Sequence, residues 1–344
     1  LQGFREGLDE QLRDIALERG AHLVATQAGV ENMVGARSVI PQMARGRVEA
    51  VEGVRVAHPM TALPVIYEKD GRKTAIFLAV VDSIGWPETL VAGRLPEGDG
   101  EVLVDRSLAS VFELHPGDDL TIAGYDFEIA GIAEPTAALW TSFAFSNYDS
   151  LIEFYFESDL ADDLSAFPLL SYLLIRVEPG ARREAVRDAI EAAVPDVDVF
   201  TPEELARNDA ALGETMLGAV LTILVGVAYA AGLLVVALFM FTTAEGRRRD
   251  LGVLKAIGFS NRAILVAVAG EAALLTVLAV PAGIALAEGV AAGVAATIPM
   301  YLILPTEPGP LVQAILACAG FALLGATAPL RFIRKLDPAE VFRS

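Results

Sequence analysis

Apolar positions along the chain fall into two regimes. Up to Glu214 they come in short runs broken by charged and turn-forming residues, and from Met216 onward they run on almost without interruption. In the first regime, alternating or β-branched apolar runs bounded by Gly, Pro, Asp or Asn predict strands. They cover residues 21–26, 54–65, 73–81, 101–104, 120–123, 127–132, 169–177 and 197–200. Helical spacing predicts helices over 43–51, 105–112, 148–156 and 181–194. Thr201 followed by Pro202 has the form of an N-cap and first turn, opening a further helix that runs toward the apolar half.

In the second regime three segments stand out. Residues 216–243 carry no charge over 28 positions, which as a helix spans roughly 42 Å at ~1.5 Å per residue. A bilayer core needs only about 20 such residues, so this is a spanning helix. Residues 263–284 form a second, interrupted by Glu271 and Pro281, with helix expected to continue toward 298. Residues 311–329 form a third. The basic residues orient them. Arg247, Arg248, Arg249, Lys255 and Arg262 lie between the first two spans, and Arg331, Arg334, Lys335 and Arg343 follow the third. The loop between the second and third spans has none, so it faces outward, and residues 1–214 lie outside with it. An exported domain ahead of an inward-crossing helix implies a signal peptide or, as the favoured reading, a further spanning helix before Leu1. Phe4, Leu8, Leu12 and Ile15, at helical spacing, read as its amphipathic outer continuation.

Charge reinforces this division. Residues 1–214 hold 17 Lys/Arg against 38 Asp/Glu, a net charge of −21, whereas the remainder holds 9 against 7. Such an acid excess repels nucleic acid and excludes it as a partner. Catalytic chemistry is not apparent either. No phosphate-loop glycine motif and no nucleophile-elbow serine motif occurs. His22, His58 and His115 stand far apart with no metal-ligand spacing, and Cys318 is a lone cysteine in an apolar run. Glu157, Asp159, Asp162 and Asp163 lack the spacing and glycine of a calcium loop and read as a solvated acidic stretch. Nine aromatics gather between Trp140 and Tyr172. They read as core, or, for Trp140, Phe143 and Phe145, as a surface for a greasy substrate or a partner protein.

The stretch between the first two spans carries the most specific pattern. Asp250 opens a short helix bearing Leu251, Val253, Leu254 and Ile257, Arg247 and Arg248 stand ahead of it, Lys255 lies within it, and Gly258 and Phe259 follow. Gly258 is a natural stop, and Ser260 or Asn261 can cap the next helix. Spacing alone leaves two readings open: a knob for a cytoplasmic partner, or a helix on the membrane surface.

Residues 247–265 (RRRDLGVLKAIGFSNRAIL) resemble the hallmark of the FtsX/MacB-like permease family, which reads R-R-x-(I/L)-G-(L/V)-L-(K/R)-A-(I/L)-G-(A/F)-x-x-x-x-I. Gly270-Glu271-Ala272-Ala273-Leu274-Leu275 resembles the family's E-A-x-L-L in the following span, and 336–343 (LDPAEVFR) resembles its D-P-(A/V)-E-(A/V)-(L/F)-R tail. Residues 100–109 with 114–120 look like its outer-domain pattern. The resemblance covers essentially the whole chain except a first spanning helix.

It implies an α-helical membrane protein of the plasma or inner membrane with a large mixed α+β extracytoplasmic domain, with three transmembrane helices here and four in the full protein. The expected organisation is an outer extension of the missing helix (1–20), a MacB-like domain (21–200) and a stalk helix (201–215). Then follow a span (216–243), a cytoplasmic loop with a coupling helix (244–262), a second span (263–298), an outer loop (299–310), a third span (311–330) and a cytoplasmic tail (331–344). The resemblance further implies a non-catalytic subunit that binds no cofactor or metal itself, ATP and Mg residing on a separate ABC ATPase. Residues Arg247 to Phe259 would dock that ATPase, and two permeases, identical or not, would pair in the membrane lipid. An extracytoplasmic adaptor or effector is a further expected partner. The implied activity is export or extraction of a lipid, lipoprotein, peptide or drug. The alternative is an FtsX-like scaffold that activates an outer cell-wall hydrolase. Glu271, a charge inside a span, is expected to face the bundle interior or a water-filled cleft.

Overall fold

A computed structural model describes residues 1–134, 141–158, 169–298 and 301–325. The chain divides into two compact units. One comprises Gly7–Met216 with Val294–Leu302, the other Leu1–Glu6, Leu217–Gly293 and Ile303–Ser344.

The first unit is built on strands. In chain order the elements are α1 (Gln2–Leu17), β1 (Leu23–Gln27), β2 (Ile40–Pro41), α2 (Met43–Glu49), β3 (Val54–Lys69), β4 (Arg72–Val81) and β5 (Leu90–Gly93). Next come β6 (Glu101–Asp105), α3 (Arg106–Phe112), β7 (Asp119–Ile122), β8 (Tyr125–Ala133), β9 (Ser142–Asn147) and α4 (Tyr148–Glu157). The last are β10 (Leu169–Leu170), β11 (Tyr172–Val177), α5 (Arg183–Ala193), β12 (Val197–Phe200) and α6 (Pro202–Gly213). The main sheet runs β12-β1-β11-β3-β4-β9-β6-β8-β5. Because β7 pairs with both β8 and β3, the ladder β3-β4-β9-β6-β8-β7 closes on itself. β3 and β4 form a long hairpin whose two turn residues, Asp70 and Gly71, have φ of 53° and 75°. Left-handed backbone at both positions is what a tight two-residue hairpin turn requires.

The period-two rule explains why so many strands read as continuous apolar runs. Along β4, Ile76, Leu78 and Val80 fill the interior of the closed ladder, while Ala79 and Val81 face the other core beneath α1 and α6. Along β11, Tyr172 and Leu174 join that second core, and Leu173, Ile175 and Val177 join a third under α2 and α5. Both of these strands are covered on both faces.

β9 decides between the two readings of Phe143 and Phe145 in favour of core. Phe143 and Phe145 do not form a surface: they lie on this strand, which pairs parallel to β4 and antiparallel to β6, and they are 7% and 0% exposed. Both rings face the second core, and removing one like that of Phe145 would cost about 3–5 kcal/mol. Trp140, named with them, lies outside the described residues, as do Asp159, Asp162 and Asp163. Arg19 is buried against this floor, its guanidinium 5.2 Å from the centre of the Phe145 ring. It donates to the Ile15 and Gly85 carbonyls at 2.8 and 2.9 Å, and burial lowers its pKa to about 10.

α6 starts as its sequence indicates. Thr201 Oγ1 accepts from the Glu204 amide, the Glu204 carboxylate accepts from the Thr201 amide, and Pro202 occupies the first turn. Helix then continues without a break from Pro202 to Gly246, through a π turn at Glu214–Gly218 into α7 (Ala219–Gly246).

The second unit is helical. α7 is followed by α8 (Arg248–Ala256), α9 (Asn261–Thr297) and α10 (Pro308–Gly325). Pro202–Gly246, Asn261–Thr297 and Pro308–Gly325 are long and apolar enough to cross a membrane. Small residues let the helices approach: a Cβ at Gly325 would lie 2.8 Å from Val236 Cγ1, and one at Gly232 3.0 Å from the Phe321 ring. Met240, Ala272 and Ala322 meet where α7, α9 and α10 converge.

Candidate functional site

The loop between the first two spans folds as its spacing requires. Asp250 in the first turn of α8 and Lys255 in the last both suit the helix dipole. Gly258, with φ of 101°, ends the helix. The Gly258 amide donates to the Lys255 carbonyl at 3.2 Å and the Phe259 amide to the Leu254 carbonyl at 3.0 Å, the paired bonds of a Schellman ending. Ser260 then caps α9, its hydroxyl accepting from the Ala263 amide at 3.2 Å.

Two faces of α8 differ. Leu251 is buried against Ala244 and Ile264, with Leu254 and Val268 packed beside them. Leu254, one of the residues expected to dock the ATPase, is a half-buried part of the loop's own small core. Val253, Ile257 and Phe259 are the ones that project, 39%, 68% and 50% exposed. Asp250 is also exposed, and Arg248 is the first residue of α8. Spacing did not separate Val253 from Leu254; only the position of α9 decides which of the two faces in.

Arg247 ends α7 and donates to the Glu271 carboxylate of α9 at 2.9 Å. Glu271 is 38% exposed in the single chain and is paired. The pair was not foreseen, although its signal lies in the sequence: in a helical hairpin, a residue just past one span comes level with one about two turns into the next.

No group of three or more His, Cys, Asp or Glu able to hold a metal occurs among the described residues. His22 Nδ1 accepts from the Val177 amide at 3.0 Å, and His58 Nδ1 lies 3.2 Å from the Asp82 carboxylate. Both act within the strand unit.

Comparison with known proteins agrees with this division of the chain. The family model for the MacB-like periplasmic core domain matches residues 1–193, and that for the FtsX-like permease C-terminal region matches residues 222–338. The uncharacterized ABC transporter permease Rv0072 of Mycobacterium tuberculosis is 23% identical over 346 residues, covering 99% of this chain and 90% of its own length. Another from that organism, Rv2563, is 26% identical over 307 residues, covering 88% of this chain and 77% of its own. The crystal structure of the periplasmic region of MacB from Actinobacillus actinomycetemcomitans aligns with a TM-score of 0.40 at 11% identity, over 58% of this chain and 97% of that one. The strand unit is the large extracytoplasmic domain of a membrane protein, and the chain belongs to the family of ABC transporter permeases that join a MacB-like periplasmic core domain to an FtsX-like permease region.

Proposed function

We propose that this chain couples ATP hydrolysis by a separate ABC ATPase to movement of its outer domain, and so exports or extracts a hydrophobic or amphipathic substrate. The observation that carries the reading is the outward face of α8. Val253, Ile257 and Phe259 project from a loop whose inner face is already packed. Exposed apolar side chains on a rigid, capped turn favour a groove that receives them. The loop carries Arg247, Arg248, Arg249, Lys255 and Arg262 and reads as cytoplasmic by the positive-inside rule, where an ATPase resides. The continuous helix from Pro202 to Gly246 offers a path for the stroke, and two such permeases would form the working dimer. In this reading the chain is non-catalytic, and ATP and Mg bind on the partner.

Ile257→Glu places a charge where the partner's groove would have to desolvate it, at a cost of several kcal/mol. Exposed as Ile257 is, the variant should insert and fold normally yet fail to co-purify with the ATPase and lose ATP-dependent substrate release. Normal co-purification and release would show that α8 is a membrane-surface helix, and the coupling proposal would fall.

A further inference from the structure

The outer domain contains a cavity of about 250 Å³ that the coupling loop does not explain. Ile15, Met60, Phe143 and Tyr172 form its buried inner wall, and Pro64 and half-buried Phe77 its rim. Interiors normally close such voids. Segment 33–38 supplies the remaining wall.

The polar groups of that wall are occupied in holding it up. Tyr172 OH donates to the Met33 carbonyl at 2.9 Å. The Asp209 carboxylate accepts from the Met33 and Val34 amides at 3.0 and 3.1 Å. Asn32 Oδ1 accepts from the Gly35 and Ala36 amides, and Ser38 Oγ from the Gln27 amide. Asn208 donates to the Glu31 carbonyl, and Leu212 approaches Gly35 so closely that a Cβ there would lie 2.2 Å from it. The wall is thus pinned to two successive turns of α6, at Asn208 and Asp209 and at Leu212.

One group at the mouth is left over. Arg37 lines the cavity, is exposed, and has no side-chain partner among the described residues. A free cation at an apolar opening is conspicuous in a region that carries 38 acidic against 17 basic residues.

We infer that this cavity binds a single-chain amphiphile with an anionic head, its alkyl chain lying against Met60, Phe143 and Tyr172 and its carboxylate or phosphate on the Arg37 guanidinium. The volume sets the chain length. At about 30 Å³ per water-sized group, it holds on the order of eight to ten carbons. Affinity for alkyl anions should therefore rise about fourfold per methylene up to that length and then level off. A neutral or cationic head forfeits the Arg37 contact and adds repulsion in the second case. The inference rests on the transporter reading only for the purpose of the ligand, since the cavity itself involves neither ATPase nor α8.

The test uses the full chain in lipid nanodiscs and a ten-carbon fatty acid carrying a terminal diazirine, with photolabels mapped by mass spectrometry. Labels in the membrane helices report partition into lipid and serve as the internal reference. The inference expects labelled peptides containing Met60, Phe77 or Phe143. Decanoate or decyl phosphate should compete with them, the stronger identifying the head, whereas decanol and decyltrimethylammonium should compete at least tenfold less. Arg37→Glu, on an exposed side chain, should reduce cavity labelling about tenfold, and Arg37→Lys should largely restore it. Ala62→Phe, which fills the cavity, should abolish it with the reference labels unchanged. Labels confined to the membrane helices, or cavity labelling indifferent to head charge and to Arg37→Glu, would overturn the inference. ATPase co-purification measured on the same samples separates the two proposals, because neither outcome there alters the cavity labelling.

Discussion

Replacing Asp209 by asparagine should change the pH dependence of the outer domain's stability. Asp209 lies on α6 and is fully buried, and burial raises its pKa from 3.8 to about 6, against the opposing hydrogen bonds from Val34 and Met33. A carboxyl whose folded-state pKa lies above its unfolded value contributes stability that is fully present below the unfolded pKa. That contribution is lost as pH rises through the folded pKa. For a rise from 3.8 to about 6, the loss is about 1 kcal/mol at pH 4.5 and about 3 kcal/mol at pH 7.5. Asparagine cannot ionise and keeps the Oδ1 acceptor for both amides, but its NH₂ faces the Met33 amide where Oδ2 now accepts at 3.2 Å. That conflict is a constant offset, which cancels when one difference is compared at two pH values. Asp209→Asn minus wild type should therefore shift in the variant's favour by about 2 kcal/mol between pH 4.5 and 7.5. Glu101 and Glu204, whose pKa values are lowered by their partners, bend the overall profile the other way but do so in both proteins. Both tryptophans, Trp86 and Trp140, precede Glu214, so denaturant unfolding of the solubilised chain followed by their fluorescence reports on the outer domain. A pH-independent difference would show that Asp209 has no raised pKa in the folded chain.

Three other expectations concern separate parts of the chain. Asp105→Ala should destabilise the outer domain by about 2–4 kcal/mol, because the buried carboxylate caps α3 at the Leu108 amide and also accepts from the Phe143 amide. Denaturant melts check this, and a loss below about 1 kcal/mol would mean that water or another group replaces it. A double-mutant cycle with Arg247→Gln and Glu271→Gln should give a coupling of about 0.5–1 kcal/mol in thermal unfolding, and a value of zero would dissolve the pair. Cysteine at Asp99 should react with an impermeant thiol reagent in intact cells and cysteine at Asn261 should not, and labelling at Asn261 would reverse the orientation.

How much of this was legible depended on how local each feature is. The runs that became β3, β4, β8 and β11 showed in the sequence because strands covered on both faces are apolar at nearly every position. β9 did not show: Ser142-Phe143-Ala144-Phe145-Ser146 is short, flanked by serines, and sits within a stretch whose many aromatics mark no strand of their own. β5 is a four-residue edge strand, exposed at most positions, and leaves little pattern to read. The ending of α8 at Gly258 and the capping of α9 at Ser260 are local chemistry and were readable. Which face of α8 turns inward depends on α9, so spacing alone groups Leu251, Val253, Leu254 and Ile257 together and does not separate the packed residues from the projecting ones. The cavity was least legible of all. Its wall draws on α1, β3, β4, β9, β11 and segment 33–38, which only the tertiary fold assembles.

The central claim, that the outward face of α8 meets an ATPase, is tested most directly by photo-crosslinking. A benzophenone amino acid at position 257, in membranes from cells that co-express the ATPase, should yield a covalent adduct with that subunit. The same probe at Ile66, an exposed apolar position on β3 of the outer domain, should yield none. Adducts at position 257 with lipid alone would contradict the account and leave α8 as a membrane-surface helix.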